Sequence, residues 1–130
     1  MPERRTLIVD TDIHVRSLLG AVLRSRGILF DQACDSAEGL HRIAAMDYEL
    51  IILEIAMPLG CCDIDLLESL HALQSGVLGE RRSCPDVIVI TRCTEDDLPT
   101  HAIVRHGRGR VRAVLRKPID LTELSHFVTV

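Results

Sequence analysis

The 130-residue sequence has no tryptophan, one tyrosine and two phenylalanines, so its core is not aromatic. Its 47% apolar content is aliphatic instead, and Val, Ile and Leu suit strands buried on both faces, as in parallel sheets. No apolar run approaches the ~20 residues of a membrane-spanning helix, so no such span and no membrane partner are expected. Positive charge is not in excess either: the formal net charge is −4, which gives no global reason to expect nucleic-acid binding. The five cysteines are odd in number, scattered apart from Cys61-Cys62, and never spaced as C-x-x-C. That argues against a disulfide framework and a zinc knuckle, leaving small apolar fillers kept reduced. Met1-Pro2-Glu3-Arg4-Arg5 leads straight into a strand-like run without a signal-peptide core, so a cytoplasmic protein is expected. The length fits one domain over residues 1–130. The chain stops soon after its last helix begins, so a piece cut from a longer protein with a C-terminal effector fits as well.

Within that frame two patterns alternate. Short β-branched runs at Thr6–Val9, Ile28–Phe30, Leu50–Leu53, Val87–Ile90 and Ala113–Leu115 read as buried strands. Helical spacing fills the gaps. Val15, Leu18, Leu19, Val22 and Leu23 share one face, and Gly27 stands where a C-terminal capping glycine belongs. Asp12 is placed to cap this first helix. Asp35 and Glu38 open the second at capping-box spacing, ahead of Leu40, Ile43 and Ala44. Ile64, Leu67, Leu70 and Leu73 outline a third helix, and Glu95 to His106 a weaker fourth in which Pro99 intrudes. A fifth follows Pro118, with Asp120 and Glu123 at capping-box spacing. Five strands alternating with five helices predict an α/β fold with a doubly wound five-stranded parallel sheet. Binding groups in such folds gather beyond the carboxyl ends of the strands. Those ends hold Asp10-Thr11-Asp12, Glu54, Thr91 and Lys117.

The segments LIVDTDIHVRSLL, ELIILEIAMP, DVIVITRC and AVLRKPIDLTEL, in this order and spacing, resemble the receiver domain of response regulators over about Thr6 to Phe127. Lys117-Pro118, combined with Met57-Pro58 three residues beyond Glu54, makes the resemblance specific. It implies a (βα)5 flavodoxin-like fold and a part in phosphorelay signal transduction. It also implies a chemistry in which carboxylates hold Mg²⁺ and an aspartate after the third strand accepts a phosphoryl group. A hydroxyl residue and a lysine then sense that group, and catalysis is mostly positioning and charge neutralisation. Carried over by position, Asp10 and Thr11 form the acidic pocket, Glu54 takes the phospho-acceptor place, and Thr91 and Lys117 are the phosphate-sensing pair.

Two of these five positions depart from the family pattern. Thr11 stands where a carboxylate is expected, and a hydroxyl is a poorer, uncharged ligand for Mg²⁺. The lost unit charge is worth several kcal/mol at an effective dielectric of ~20, so any Mg²⁺ held through Asp10 and Glu54 would be weak, and no cofactor is expected. The extra methylene of Glu54 moves its carboxylate outward by roughly 1 Å, enough to cost ~10²-fold in rate. Val114 replaces the switching aromatic, Arg92 replaces the small residue after Thr91, and Cys61 and Cys62 lie in an altered loop after Met57-Pro58. The resulting expectation is a degenerate receiver, not an enzyme, in which a Glu54–Lys117 pair holds the loops together. A pair that mimics the activated state is the other version of that reading. A receiver still phosphorylated with Mg²⁺ is one alternative. A small haloacid-dehalogenase-like phosphatase using Asp10 and Asp12 is another, although the acidic motif such enzymes need after the lysine is replaced by Pro118 and a terminal helix.

Arg105, Arg108, Arg110, Arg112, Arg116 and Lys117 run without an intervening acid and leave the rest of the chain at −10. That asymmetry suggests an acidic protein partner, or a homodimer through the helix-four/strand-five face, or simply a solvated surface. The resemblance implies a histidine kinase or another signalling protein as partner. Nucleic acid would be reached only through an effector domain absent from this sequence. Cys61, Cys62 and Cys93 with His14 could form a thiolate site, but unpartnered thiols explain them as well.

Overall fold

The computed structural model describes residues 5–55, 85–91 and 111–128. Five strands, β1(Arg5–Val9), β2(Leu29–Ala33), β3(Leu50–Ile55), β4(Asp86–Thr91) and β5(Val111–Arg116), form one sheet ordered β2-β1-β3-β4-β5. All four pairings are parallel. The helices of the described residues are α1(Ile13–Ser25), α2(Ser36–Ala45) and α3(Leu121–Val128), the last falling where the fifth helix is expected. The expected third and fourth helices lie outside the described residues. No described helix is long and apolar enough to cross a membrane.

The aliphatic composition explains the layering. Leu7, Val9, Ile51, Leu53, Val87 and Val89 point to one face, where Ile43 of α2 and Tyr48 meet them. Ile8, Leu50, Ile52, Ile88, Ile90 and Leu115 point to the other, where Leu19 and Leu23 of α1 and Leu124 and Val128 of α3 close the core. Central strands buried on both faces need no polar alternation, and LIIL and VIVI show none. Edge strands obey different rules. In β2 only Ala33 is fully buried, so Asp31 and Gln32 are tolerated, and the strand runs three residues beyond the apolar run Ile28–Phe30 that announces it.

Local signals set the helix ends. The Asp12 carboxylate accepts the His14 N–H at 2.8 Å, Asp35 accepts that of Glu38 at 2.8 Å, and Asp120 accepts those of Thr122 and Glu123. α1 ends in a Schellman motif: Gly27, at φ 71°, donates to the Arg24 carbonyl and Ile28 to that of Leu23. Gly20 lets α1 approach β2, since a Cβ there would sit 2.9 Å from the Phe30 ring. The buried face of α2 runs through Ser36, Gly39 and Ile43, while Ala44, expected on that face, is exposed. Leu18 likewise departs from the inward face of α1.

Chain direction across the sheet reverses between β1 and β3, because β2 lies to one side of β1 and β4 to the far side of β3. A crevice at the carboxyl ends of these two strands is where such folds place their chemistry. Asp10 follows β1, and Glu54 is the penultimate residue of β3.

Candidate functional site

Asp10 continues the β1 ladder by donating its N–H to the Ala33 carbonyl at 3.1 Å, and only 2% of it is exposed. Its Oδ1 accepts the Asp12 N–H at 2.8 Å, so the chain turns at once into the capping residue of α1. Lys117 follows β5 and is held by its own backbone, whose N–H donates to the Thr91 carbonyl at 2.8 Å. From there its side chain reaches across the strand ends. Nζ donates to Glu54 Oε2 at 2.6 Å, and stands 3.3 Å from Asp10 Oδ1 and 3.0 Å from Asp10 Oδ2. The Lys117–Pro118 peptide is cis.

Glu54 is held from its other side by Thr11, whose N–H (3.1 Å) and hydroxyl (2.8 Å) both donate to Oε1. Each carboxylate oxygen of Glu54 therefore has a donor, one cationic and two neutral. Burial pushes its carboxyl up, but the Lys117 ammonium and the two Thr11 donors outweigh burial and leave it below the usual glutamate range. Asp10 goes the other way. Burial raises its carboxyl, the Glu54 charge adds to that, and the Asp12 N–H and Lys117 only partly offset it. Two carboxylates thus share one ammonium, and their carboxyls are pushed in opposite directions.

The structure brings Asp10, Thr11, Glu54 and Lys117 into one contact network, with the buried Thr91 joined through its carbonyl. Arg16 also belongs to this network, and its position offers no motif by which to find it. Its Nη1 donates to the Asp10 carbonyl at 2.6 Å and its Nε to Gln32 Oε1 at 3.3 Å, bracing the turn after β1 against β2. Val114 faces outward on β5, 37% exposed, between Arg112 and Arg116. Arg112 is engaged: its guanidinium contacts Asp86 Oδ2 at 2.7 Å and donates to the Phe127 carbonyl at 3.1 Å. Arg116 is exposed. Arg92, Cys61, Cys62, Cys93, Arg105, Arg108 and Arg110 lie outside the described residues.

Five parallel strands in this order, with an acidic residue after β1, a carboxylate in β3, a hydroxyl residue at the end of β4 and a lysine after β5, define a recognisable pocket. The family description "Response regulator receiver domain" matches residues 6–129. The chain belongs to that family.

Among its relatives, the receiver domain is 29% identical over 123 residues to the transcriptional activator protein PfeR of Pseudomonas aeruginosa, covering 90% of this chain and 39% of that protein. It therefore spans less than half the length of this curated relative. A CheY-like receiver domain from Methanospirillum hungatei superposes with a TM-score of 0.76 at 22% identity, over 98% of this chain and 91% of that one. A co-crystal structure from Saccharomyces cerevisiae, of the histidine phosphotransfer protein Ypd1 with the receiver domain of Ssk1, gives 0.76 at 19%, covering 98% and 88%. At these identities the two structures speak for the fold.

The divalent cation implied by the family can be tested against the donors present. Mg²⁺ requires near-octahedral oxygen coordination and usually at least one free carboxylate. Here both Glu54 oxygens accept hydrogen bonds, and Asp10 Oδ1 accepts one from Asp12. Asp10 Oδ2 is the one carboxylate oxygen of the pair without a hydrogen bond, and it faces the Lys117 ammonium at 3.0 Å. Among the described residues no group of three His, Cys, Asp or Glu is arranged to hold a metal. This donor set does not fit the ion.

Proposed function

We propose that this receiver domain of two-component signalling works as a protein-interaction module that does not depend on phosphorylation, with Glu54 in the phospho-acceptor position as a fixed internal anion. The observation that carries the reading is the complete engagement of the Glu54 carboxylate, by Thr11 on Oε1 and by Lys117 on Oε2. A nucleophile needs a lone pair aimed at its donor and a cation on the transferring group. Here the lone pairs point to neighbours and the cation is spent on the carboxylates. The pair instead ties β3 to the segment after β5, holding these strand ends together without an added phosphoryl group.

The partner is a signalling protein of the histidine-kinase or histidine-phosphotransfer kind, by analogy with the Ypd1–Ssk1 complex, in which a receiver domain meets a phosphotransfer protein. Contact with nucleic acid would come through an effector segment outside this sequence, in line with the 39% share of PfeR that the chain spans. The deciding experiment incubates the protein with Mg²⁺ and acetyl phosphate and records its intact mass. An unchanged mass, with unchanged folding in EDTA, is the expected result. A phosphoryl mass located on Glu54 would sink the reading and restore a phosphorylatable switch.

A further inference from the structure

We infer that Lys117 is the pocket's own cation, standing in charge and position for a divalent ion, and that Thr11 is the positioning residue that makes this arrangement work. The inference deepens the module reading and rests on it.

Three observations support it. First, Nζ lies between the two carboxylates, 2.6 Å from Glu54 and 3.0 Å from Asp10, and only 6% of the lysine side chain is exposed. An ammonium so placed neutralises the pair as an ion would, and a divalent cation drawn to the same carboxylates would be repelled by its charge. Second, Thr11 occupies the place of an acidic residue, yet it donates instead of accepting. Its hydroxyl and N–H hold Oε1, which turns Oε2 to the lysine. An aspartate there would offer a second negative oxygen in the place of that donor and repel Glu54. Third, the longer reach of Glu54 matters for the same contact, since its carboxylate spans from Thr11 on β1's side to Lys117 beyond β5. Thr11 and Glu54 are thus one coupled change: the hydroxyl directs the longer carboxylate, and the carboxylate engages the lysine.

The consequence is a pocket insensitive to Mg²⁺ because its counter-ion is covalently attached. The test titrates Mg²⁺ into the wild-type protein by calorimetry and compares melting temperatures in Mg²⁺ and in EDTA. Wild type should give no saturable heat and no shift in melting temperature. Lys117→Met frees two carboxylates and should bind Mg²⁺ more tightly than wild type by on the order of tenfold or more, with a melting temperature that rises with the metal. Thr11→Asp, which keeps the lysine, serves if Lys117→Met does not fold, and it too should gain saturable Mg²⁺ binding. Saturable binding by wild type would overturn the inference, as would no gain in whichever variant folds. The intact mass of each sample after acetyl phosphate keeps the two questions apart. Mg²⁺ binding by wild type without a phosphoryl mass removes the internal-cation inference alone, whereas a phosphoryl mass on wild type removes the module reading.

Discussion

Two polar clusters stabilise this sheet, and they differ in charge balance and burial. At the carboxyl ends of the strands, Asp10, Glu54 and Lys117 place two acids against one base, the lysine side chain 6% and the aspartate 1% exposed. Near the β2 edge, Arg5 pairs with Asp31 at 3.1 Å, and the Tyr48 hydroxyl donates to the other Asp31 oxygen at 2.7 Å. There Asp31 meets Arg5 and a neutral phenol that Arg42 also neighbours, with the Arg5 and Asp31 side chains 25% and 20% exposed. The second cluster is what structure alone requires, a balanced and partly hydrated pair. The first carries a net negative charge in a place where burial penalises it, as functional sites do and structural ones avoid.

Removing the cation from each cluster should expose that difference most. Lys117→Met leaves buried carboxylates uncompensated and should cost about 3–5 kcal/mol in urea unfolding, against about 0–1 kcal/mol for Arg5→Met. Equal losses would mean the two clusters are equivalent. Tyr48→Phe, which strips one donor from Asp31, should cost roughly 1–2 kcal/mol. Burial and the Asp31 bond raise the Tyr48 hydroxyl to about 12, so the fold favours its neutral form. Its contribution is complete below the ordinary tyrosine value and lost as pH rises from there through about 12; the phenylalanine variant should lack that alkaline loss.

The acid side separates the two carboxylates of the pocket. Glu54 is depressed, so its contribution is present above the ordinary glutamate value and fades as pH falls through its lower folded one. Asp10 is raised, so its ionisation opposes folding as pH climbs past the ordinary aspartate value. Asp10→Asn should therefore raise the melting temperature by a few degrees at pH 7 and give no gain well below pH 4, a comparison read by thermal melts across pH. The smallest effect is expected at Arg112→Ala. Its bridge to Asp86 is about one-third exposed on both sides, and its loss should cost about 1 kcal/mol or less.

Much of this was legible in the residue pattern. Apolar runs located the four strands other than β2 to within about two residues, and the three aspartates at capping positions located the starts of α1, α2 and α3. The pocket members Asp10, Glu54, Thr91 and Lys117 were legible because strand ends are where a parallel sheet displays side chains. Less legible were features that depend on a neighbour. The extent of β2 was hidden because an edge strand admits Asp31 and Gln32. The outward placement of Leu18 and Ala44 was hidden because helical period defines a face but not its width. Arg16 was hidden because a guanidinium reaching a carbonyl leaves no motif.

The order of aliphatic runs and the turn chemistry between them determined the parallel sheet, since buried strands and caps are read from local chemistry, and the residues at the strand ends carried the resemblance to the family. Glu54 and Thr11 were visible as departures from the family pattern, and their types already argued against a strong Mg²⁺ site. What they do instead was decided only by the tertiary structure. Residues 43 positions apart meet as donor and acceptor, and a lysine 63 positions further on closes the pair. Whether a hydroxyl binds metal or directs a carboxylate depends on what stands within 3 Å of it, and only folding sets that distance.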